Sequence, residues 1–146
     1  MTMAGQDKGS LASTRALAAN LGVDGAVSFP GFAGPDDKRS LLEAHDVFLN
    51  TTTTDNYPVS LLEAAAAGLI VVSTSVGGIP AIFHNGESAR LVDSHDPRAL
   101  AEAIEGVLAE PALSSRLSEG GRRVASECTW SSVRHRWLEL LDQLSR

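Results

Sequence analysis

Short apolar segments without polar alternation recur along this chain of 146 residues, and stretches of helical character separate them. The segments are 26–29, 47–50, 70–73 and 89–92. Uniformly apolar strands are typical of parallel sheets, since helices cover both faces of such a sheet. The alternation of strands and helices therefore predicts an α/β fold with a parallel sheet.

The predicted helices begin at recognisable signals. Ser10 is a candidate N-cap for a helix that ends near Gly22, and Pro35 opens a second helix. Residues 57–68 are the most helical part of the middle of the chain. From residue 97 onwards the pattern contains helices only, and they extend to about residue 144 as a helical C-terminal cap.

The last predicted helix, 131–144, has an amphipathic pattern. Apolar side chains recur along it at helical spacing and form one stripe. We therefore expect Trp130 and Trp137 to lie in the core.

Composition excludes several classes of protein. Twelve Lys and Arg residues against 18 Asp and Glu residues give a net charge of −6, which argues against non-specific binding to nucleic acid. The apolar runs are too short to span a membrane, and no secretory signal is visible. The single cysteine, Cys128, excludes an internal disulfide and a cysteine-based metal site, and we expect a cytoplasmic protein.

The most informative loop joins the 47–50 strand to the helix that starts near Pro58. Ligands of such folds bind beyond the carboxyl ends of the strands, and a helix N-terminus with unpaired amides attracts anions. Asp55 and Glu63 lie on either side of this helix start, and carboxylates accept hydrogen bonds from sugar hydroxyls. The pattern suits a nucleotide sugar. The alternative is that Asp55 caps the helix and Glu63 is a solvated helix residue, and spacing alone leaves both open.

Several runs of residues together carry a family resemblance. They are the segment Asp55-Asn56-Tyr57-Pro58-Val59-Ser60-Leu61-Leu62-Glu63-Ala64, Gly68, Val71-Val72-Ser73-Thr74, Gly77-Gly78-Ile79-Pro80, and Gly86 ahead of Leu91-Val92. In combination they resemble the C-terminal half of the retaining glycosyltransferases of family GT4, which have the GT-B fold. The resemblance implies that residues 1–146 form a single partial Rossmann-like domain that binds a nucleotide sugar.

The family signature is a pair of acids separated by seven positions, which here is Asp55 and Glu63. The resemblance implies that Glu63 holds the ribose and that Asp55 lies near the transferred sugar as the catalytic residue. It also places the amides of Tyr57 to Leu61 near the diphosphate. The further implied donor-binding residues are Asn56, Tyr57, Pro58, Val59, Ser60, Leu61, Gly31 and Phe32.

Gly5 is a further candidate, because it flanks a short loop that suits an approach to the nucleotide. The family needs no metal, so no metal or other cofactor is expected beside the donor substrate.

Two features depart from the family pattern. Asp55 is one methylene shorter than the usual glutamate. The Arg and Lys that follow the first strand of this domain in the family have no counterpart here, which predicts a fragment that lacks that strand and the N-terminal acceptor domain. Donor and acceptor must be held together for transfer, so we expect the fragment alone to be inactive. An exposed sheet also predicts self-association.

The resemblance implies a complete enzyme that moves a hexose from a UDP- or GDP-type donor to an acceptor with retention. Contact with the membrane surface would come through the missing domain. Two alternatives stay open: a non-catalytic nucleotide-sugar-binding or interaction module of the same fold, and a nucleotide-sugar 2-epimerase.

Overall fold

The computed structural model describes residues 1–93 and 96–145 and divides them into two compact units, Met1–Leu41 and a second unit that begins at Leu42. His95, which the sequence suggests is a surface residue, lies outside the described residues.

The first unit has two parallel strands, β1 and β2, and two helices. Its elements are β1 (Thr2–Ala4), α1 (Leu11–Asn20), a 3₁₀ turn (Asp24–Ala26), β2 (Ser28–Gly31) and α2 (Pro35–Glu43), the last of which continues past Leu41. The predicted strand at 26–29 is therefore shifted by two residues, because the 3₁₀ turn takes up Ala26. The register of the pair shifts between Thr2 and Ala4, opposite Pro30, which has no amide hydrogen for the ladder.

Asp7, rather than Ser10, caps the start of α1. The Asp7 carboxylate accepts hydrogen bonds from the amides of Gly9 at 2.7 Å and Leu11 at 3.1 Å, whereas the Ser10 side chain makes no capping bond. These two bonds, the Gly9 bond first, lower the pKa of Asp7. Ser10 does occupy the predicted N-cap position, but its side chain makes no capping bond, and the Asp7 carboxylate accepts a hydrogen bond from the Leu11 amide instead.

The second unit has a parallel sheet in the order β3-β4-β5. Its elements are β3 (Val47–Asn50), α3 (Val59–Ala67), β4 (Ile70–Thr74), α4 (Ile79–Ile82), β5 (Arg90–Val92), α5 (Pro97–Ala109), α6 (Pro111–Glu127) and α7 (Trp130–Leu144). The predicted strands and the C-terminal helices are confirmed to within two residues. The short helix α4 was not predicted.

The central strand β4 is buried on both faces, as the run of apolar residues at its start, without polar alternation, predicts. Val71 packs in one hydrophobic cluster with Leu61 of α3, and Val72 packs in another with Val107 of α5. Successive side chains of a strand point to opposite faces, so helices cover both sides of this sheet. The predicted α/β architecture is confirmed.

Two glycines let α6 approach the rest of the unit closely. A Cβ on Gly120 would overlap the Glu87 carbonyl group, and a Cβ on Gly121 would lie 3.3 Å from the Cβ of Ala65 in α3. At the far end of α3, the Ser118 hydroxyl donates to the Gly68 carbonyl at 2.7 Å. Helix α6 therefore fixes the position of α3.

The expectation that Trp130 and Trp137 lie in the core was wrong. They are 69% and 55% exposed, and Leu144 at the end of α7 is 76% exposed. An amphipathic stripe shows that a helix has one apolar face, but it does not show that the described residues cover that face. No helix in the described part of the chain is long and apolar enough to cross a membrane.

Candidate functional site

The acids singled out from the sequence flank the start of α3 in the second unit. Asp55 lies in the loop 51–58, here called the acid loop, which runs from the carboxyl end of β3 to α3. Glu63 lies in α3, one helical turn beyond Val59, and is half-buried, as is Asp55. The structure therefore places both carboxylates around one helix N-terminus.

The Asp55 carboxylate holds a turn of its own loop. Its Oδ1 accepts a hydrogen bond of 3.2 Å from the amide of Tyr57. Asp and Asn side chains commonly bond to the backbone two residues on in this way. One carboxylate oxygen of Asp55 thus stabilises the turn that leads into α3. To this extent Asp55 has the local structural role that the capping alternative gave it.

The start of α3 presents amides that the protein itself does not fill. Pro58 occupies the N-cap position, and no side chain among the described residues caps the helix. The amide of Leu61 already donates to the Pro58 carbonyl at 3.1 Å. The amides of Val59 and Ser60 belong to the first turn, where a helix supplies no acceptors, and both residues are exposed.

These contacts reduce the number of backbone amides that are available to bind an anion. Within Tyr57 to Leu61, Pro58 has no amide hydrogen, and the amides of Tyr57 and Leu61 are engaged. Asn56 is exposed in the acid loop ahead of this segment. Val59 and Ser60 remain as the donors that can meet an anion at the positive end of the helix dipole.

A second loop, 75–78 between β4 and α4, here called the glycine loop, lies against the backbone of the acid loop. The Gly78 amide donates to the Asp55 carbonyl at 3.0 Å. A Cβ on Gly77 would overlap that same carbonyl oxygen, and a Cβ on Gly78 would overlap the carbonyl of Asn56. Both glycines are therefore required by close packing at the site.

The end of β4 also contacts the acid loop, through residues that the sequence reasoning missed. The Thr74 hydroxyl donates to the Thr52 carbonyl at 2.6 Å. Beside it, Asn50 at the end of β3 donates to the Ser73 hydroxyl at 3.1 Å. The available signal was the change from three apolar residues to Ser73 and Thr74 within one buried strand.

The Tyr57 side chain has a different environment from its amide. Hydrogen bonding with the Cys128 thiol, followed by burial, raises the pKa of the Tyr57 hydroxyl. Together with His84 and Arg123 the two residues line an open cavity of about 520 Å³. Tyr57 thus places the acid loop beside the C-terminal end of α6.

The remaining predicted site residues lie in the first unit. The Gly5 amide donates to the Gly31 carbonyl at 2.8 Å, so the structure brings these two glycines together. Gly31 has a φ of +83°, which favours glycine. Phe32 is 77% exposed and lines an open groove of about 440 Å³ with Pro30.

The described residues contain no group of three or more His, Cys, Asp or Glu side chains that could hold a metal ion. The second unit offers amides at a helix start and two nearby carboxylates. Such a set can bind an anion through its amides and sugar hydroxyls through its carboxylates.

Comparison with known proteins gives a consistent result. A family model described as glycosyl transferases group 1 matches residues 1–124. The chain is 37% identical over 119 residues to a D-inositol 3-phosphate glycosyltransferase from Acidothermus cellulolyticus, covering 82% of this chain and 26% of that protein. It is 35% identical over 126 residues to the lipopolysaccharide core biosynthesis glycosyltransferase LpsE of Rhizobium meliloti, covering 86% of this chain and 36% of that one.

A solved structure has the same fold. Anabaena Alr3699/HepE in complex with UDP superposes with a TM-score of 0.86 at 21% identity, covering 97% of this chain and 40% of that chain. The chain therefore spans about a quarter to two fifths of these proteins. Their names favour neither the non-catalytic module nor the epimerase.

Proposed function

Since this chain belongs to the group 1 glycosyl transferases, as its resemblance to GT4 predicted, we propose that the start of α3 binds the diphosphate of a nucleotide-sugar donor. One observation carries the proposal. Val59 and Ser60 are exposed residues in the first turn of a helix whose N-terminus no described side chain caps, with Asp55 and Glu63 around it. Phosphate binds well at such a position.

The two acids would then hold the carbohydrate groups on either side of the diphosphate. Glu63 would accept hydrogen bonds from the ribose hydroxyls. Asp55, with Oδ1 bonded to the Tyr57 amide, would offer its second oxygen to the transferred sugar. The Gly5–Gly31 pair and Phe32 are proposed to contact the nucleotide and its base.

The complete protein is proposed to transfer a hexose, with retention, from a UDP- or GDP-type donor to an acceptor. The UDP complex of Alr3699/HepE supports a nucleotide donor. The names of the two relatives differ, since one specifies D-inositol 3-phosphate and the other lipopolysaccharide core biosynthesis, so we propose no particular acceptor. We propose that residues 1–146 act as one partial domain for this purpose, and that the chain alone does not transfer sugar.

Two further parts of the proposal concern partners and location. An acceptor domain is proposed to complete the cleft, in keeping with the fraction of the relatives that the chain spans. Self-association through the edges of the sheet, where β3 and β5 are the outer strands, would appear in light scattering as a mass above that of one chain. A cytoplasmic location, with membrane contact through that other domain, is also proposed.

Replacing Glu63 with Ala in the complete protein tests the proposed function. We expect donor affinity to fall by about 1–3 kcal/mol, since a charged hydrogen bond to the ribose is lost. Calorimetry with UDP- and GDP-sugars measures this as a dissociation constant raised roughly 5- to 150-fold.

The matched control is Glu105→Ala, which removes an exposed glutamate of α5. It should leave donor affinity unchanged. Equal affinities for the Glu63 variant and the unmodified protein would refute the role of Glu63. The absence of heat with any nucleotide sugar would favour a non-catalytic interaction module instead.

A further inference from the structure

The carboxyl end of β4 contains a hydroxyl that packing alone does not explain. Thr74 is only 1% exposed, and it follows the buried apolar run of Ile70, Val71 and Val72. A valine would fill the same space without bringing a polar group into the core. Burying a hydroxyl is unfavourable unless it forms a hydrogen bond, so the bond that it makes is the feature to explain.

That bond joins the core strand to the acid loop. The Thr74 hydroxyl donates to the Thr52 carbonyl at 2.6 Å, across 22 residues of sequence. Thr52 in turn shapes the next part of the loop, because its own hydroxyl donates to the Thr54 carbonyl at 3.0 Å. The hydroxyl of a rigid, central strand therefore fixes the segment that leads directly into Asp55.

A second attachment comes from Gly78, four residues beyond Thr74 in the chain. The Gly78 amide donates to the Asp55 carbonyl at 3.0 Å. The acid loop is thus held at Thr52 by the last residue of β4 and at Asp55 by the glycine loop that follows β4. A carboxylate held from a rigid element keeps its position better than one on a free loop.

We propose that Thr74 is a positioning residue for donor binding: its hydroxyl, through the Thr52 carbonyl, holds Asp55 and the start of α3 in the geometry that receives a nucleotide sugar. This inference rests on the proposed function. Thr74 itself touches no donor in it and acts through the loop.

Three variants of the complete protein test the proposal. Thr74→Val keeps the shape and removes the hydroxyl, Thr74→Ser keeps the hydroxyl, and Thr74→Ala removes the hydroxyl with less volume. If the valine variant fails to fold, the comparison of alanine with serine serves in its place. The control is Thr14→Val, because the Thr14 hydroxyl also donates to a backbone carbonyl, that of Ser10 at 2.8 Å, but in the first unit.

Two quantities are measured on each variant. Amide hydrogen exchange at Gly78 reports whether the acid loop is held, and calorimetry with UDP- and GDP-sugars reports donor affinity. Without the hydroxyl, we expect exchange at Gly78 to accelerate about tenfold and donor affinity to fall about tenfold, the size expected for one lost hydrogen bond. Thr74→Ser and Thr14→Val should behave as the unmodified protein does.

The outcomes separate this inference from the proposed function. Unchanged exchange at Gly78 in Thr74→Val, or in Thr74→Ala, overturns the positioning role. Faster exchange with unchanged donor affinity also overturns it, since the loop would then move without consequence for the donor. Faster exchange in a protein that binds no nucleotide sugar supports the attachment through Thr74 and refutes the proposed function.

Discussion

Replacing Gly120 with Ala will destabilise the protein, whereas the same replacement at Gly106 will stabilise it slightly. Both glycines lie inside helices, where alanine is favoured over glycine by roughly 0.5–1 kcal/mol. A Cβ on Gly106 would meet open space, but a Cβ on Gly120 would overlap the Glu87 carbonyl oxygen. Displacing α6 to make room costs about 1–3 kcal/mol, which exceeds the gain from helix propensity.

Urea unfolding of the two variants measures the difference, since the free energy of unfolding extrapolates linearly to zero denaturant. The changes in unfolding free energy of the two variants have opposite signs only if α6 packs against the backbone of residues 87–88. A stabilised Gly120→Ala protein would contradict that packing. Because α6 also contacts Ala65 and the end of α3, we expect the destabilised variant to bind donor less well.

Replacing Gly77 with Ala will have a second large effect, on both stability and donor binding. Gly77 has a φ of +56°, which costs an L-residue about 1–2 kcal/mol. The added Cβ would also overlap the Asp55 carbonyl, and relieving that overlap adds about 1–3 kcal/mol. The displaced carbonyl belongs to Asp55, whose side chain we propose to contact the transferred sugar.

Two other glycines separate these contributions. Gly86 has a φ of +78° with open space around it, so Gly86→Ala measures the backbone cost alone. Gly78 lacks a positive φ, but a Cβ there would overlap the Asn56 carbonyl, so Gly78→Ala measures the packing cost alone. Donor affinity should fall for the changes at Gly77 and Gly78 and stay constant at Gly86. Similar unfolding free energies for Gly77→Ala and Gly86→Ala would show that the glycine loop does not pack against the acid loop.

Much of the fold could be predicted because it follows from local patterns. The apolar run that opens the strand Ile70–Thr74 needs helices on both faces, and Pro97 and Pro111 mark helix starts directly. Ser10 was correctly placed at the N-cap, but the pattern did not show that the Asp7 carboxylate, and not the Ser10 hydroxyl, accepts a hydrogen bond from an amide there. The prediction that Trp130 and Trp137 are buried was wrong, because the burial of a side chain depends on what packs against its helix.

The sequence predicted where the candidate site lies, but not the hydrogen bonds that hold its residues in place. The spacing of Asp55 and Glu63 around Pro58 placed both acids at one helix start. It could not show that the Asp55 carboxylate bonds to the Tyr57 amide, nor that Thr74 donates to Thr52. Such contacts join residues distant in sequence or depend on one rotamer, so pattern alone does not reveal them.

The central claim is that the amides of Val59 and Ser60 bind the donor diphosphate. A crystal structure of the complete protein with a UDP- or GDP-sugar tests it most directly. The account predicts phosphate oxygens at about 2.7–3.2 Å from these two amide nitrogens, with the Glu63 carboxylate at the ribose hydroxyls. A diphosphate bound away from the start of α3 would contradict it.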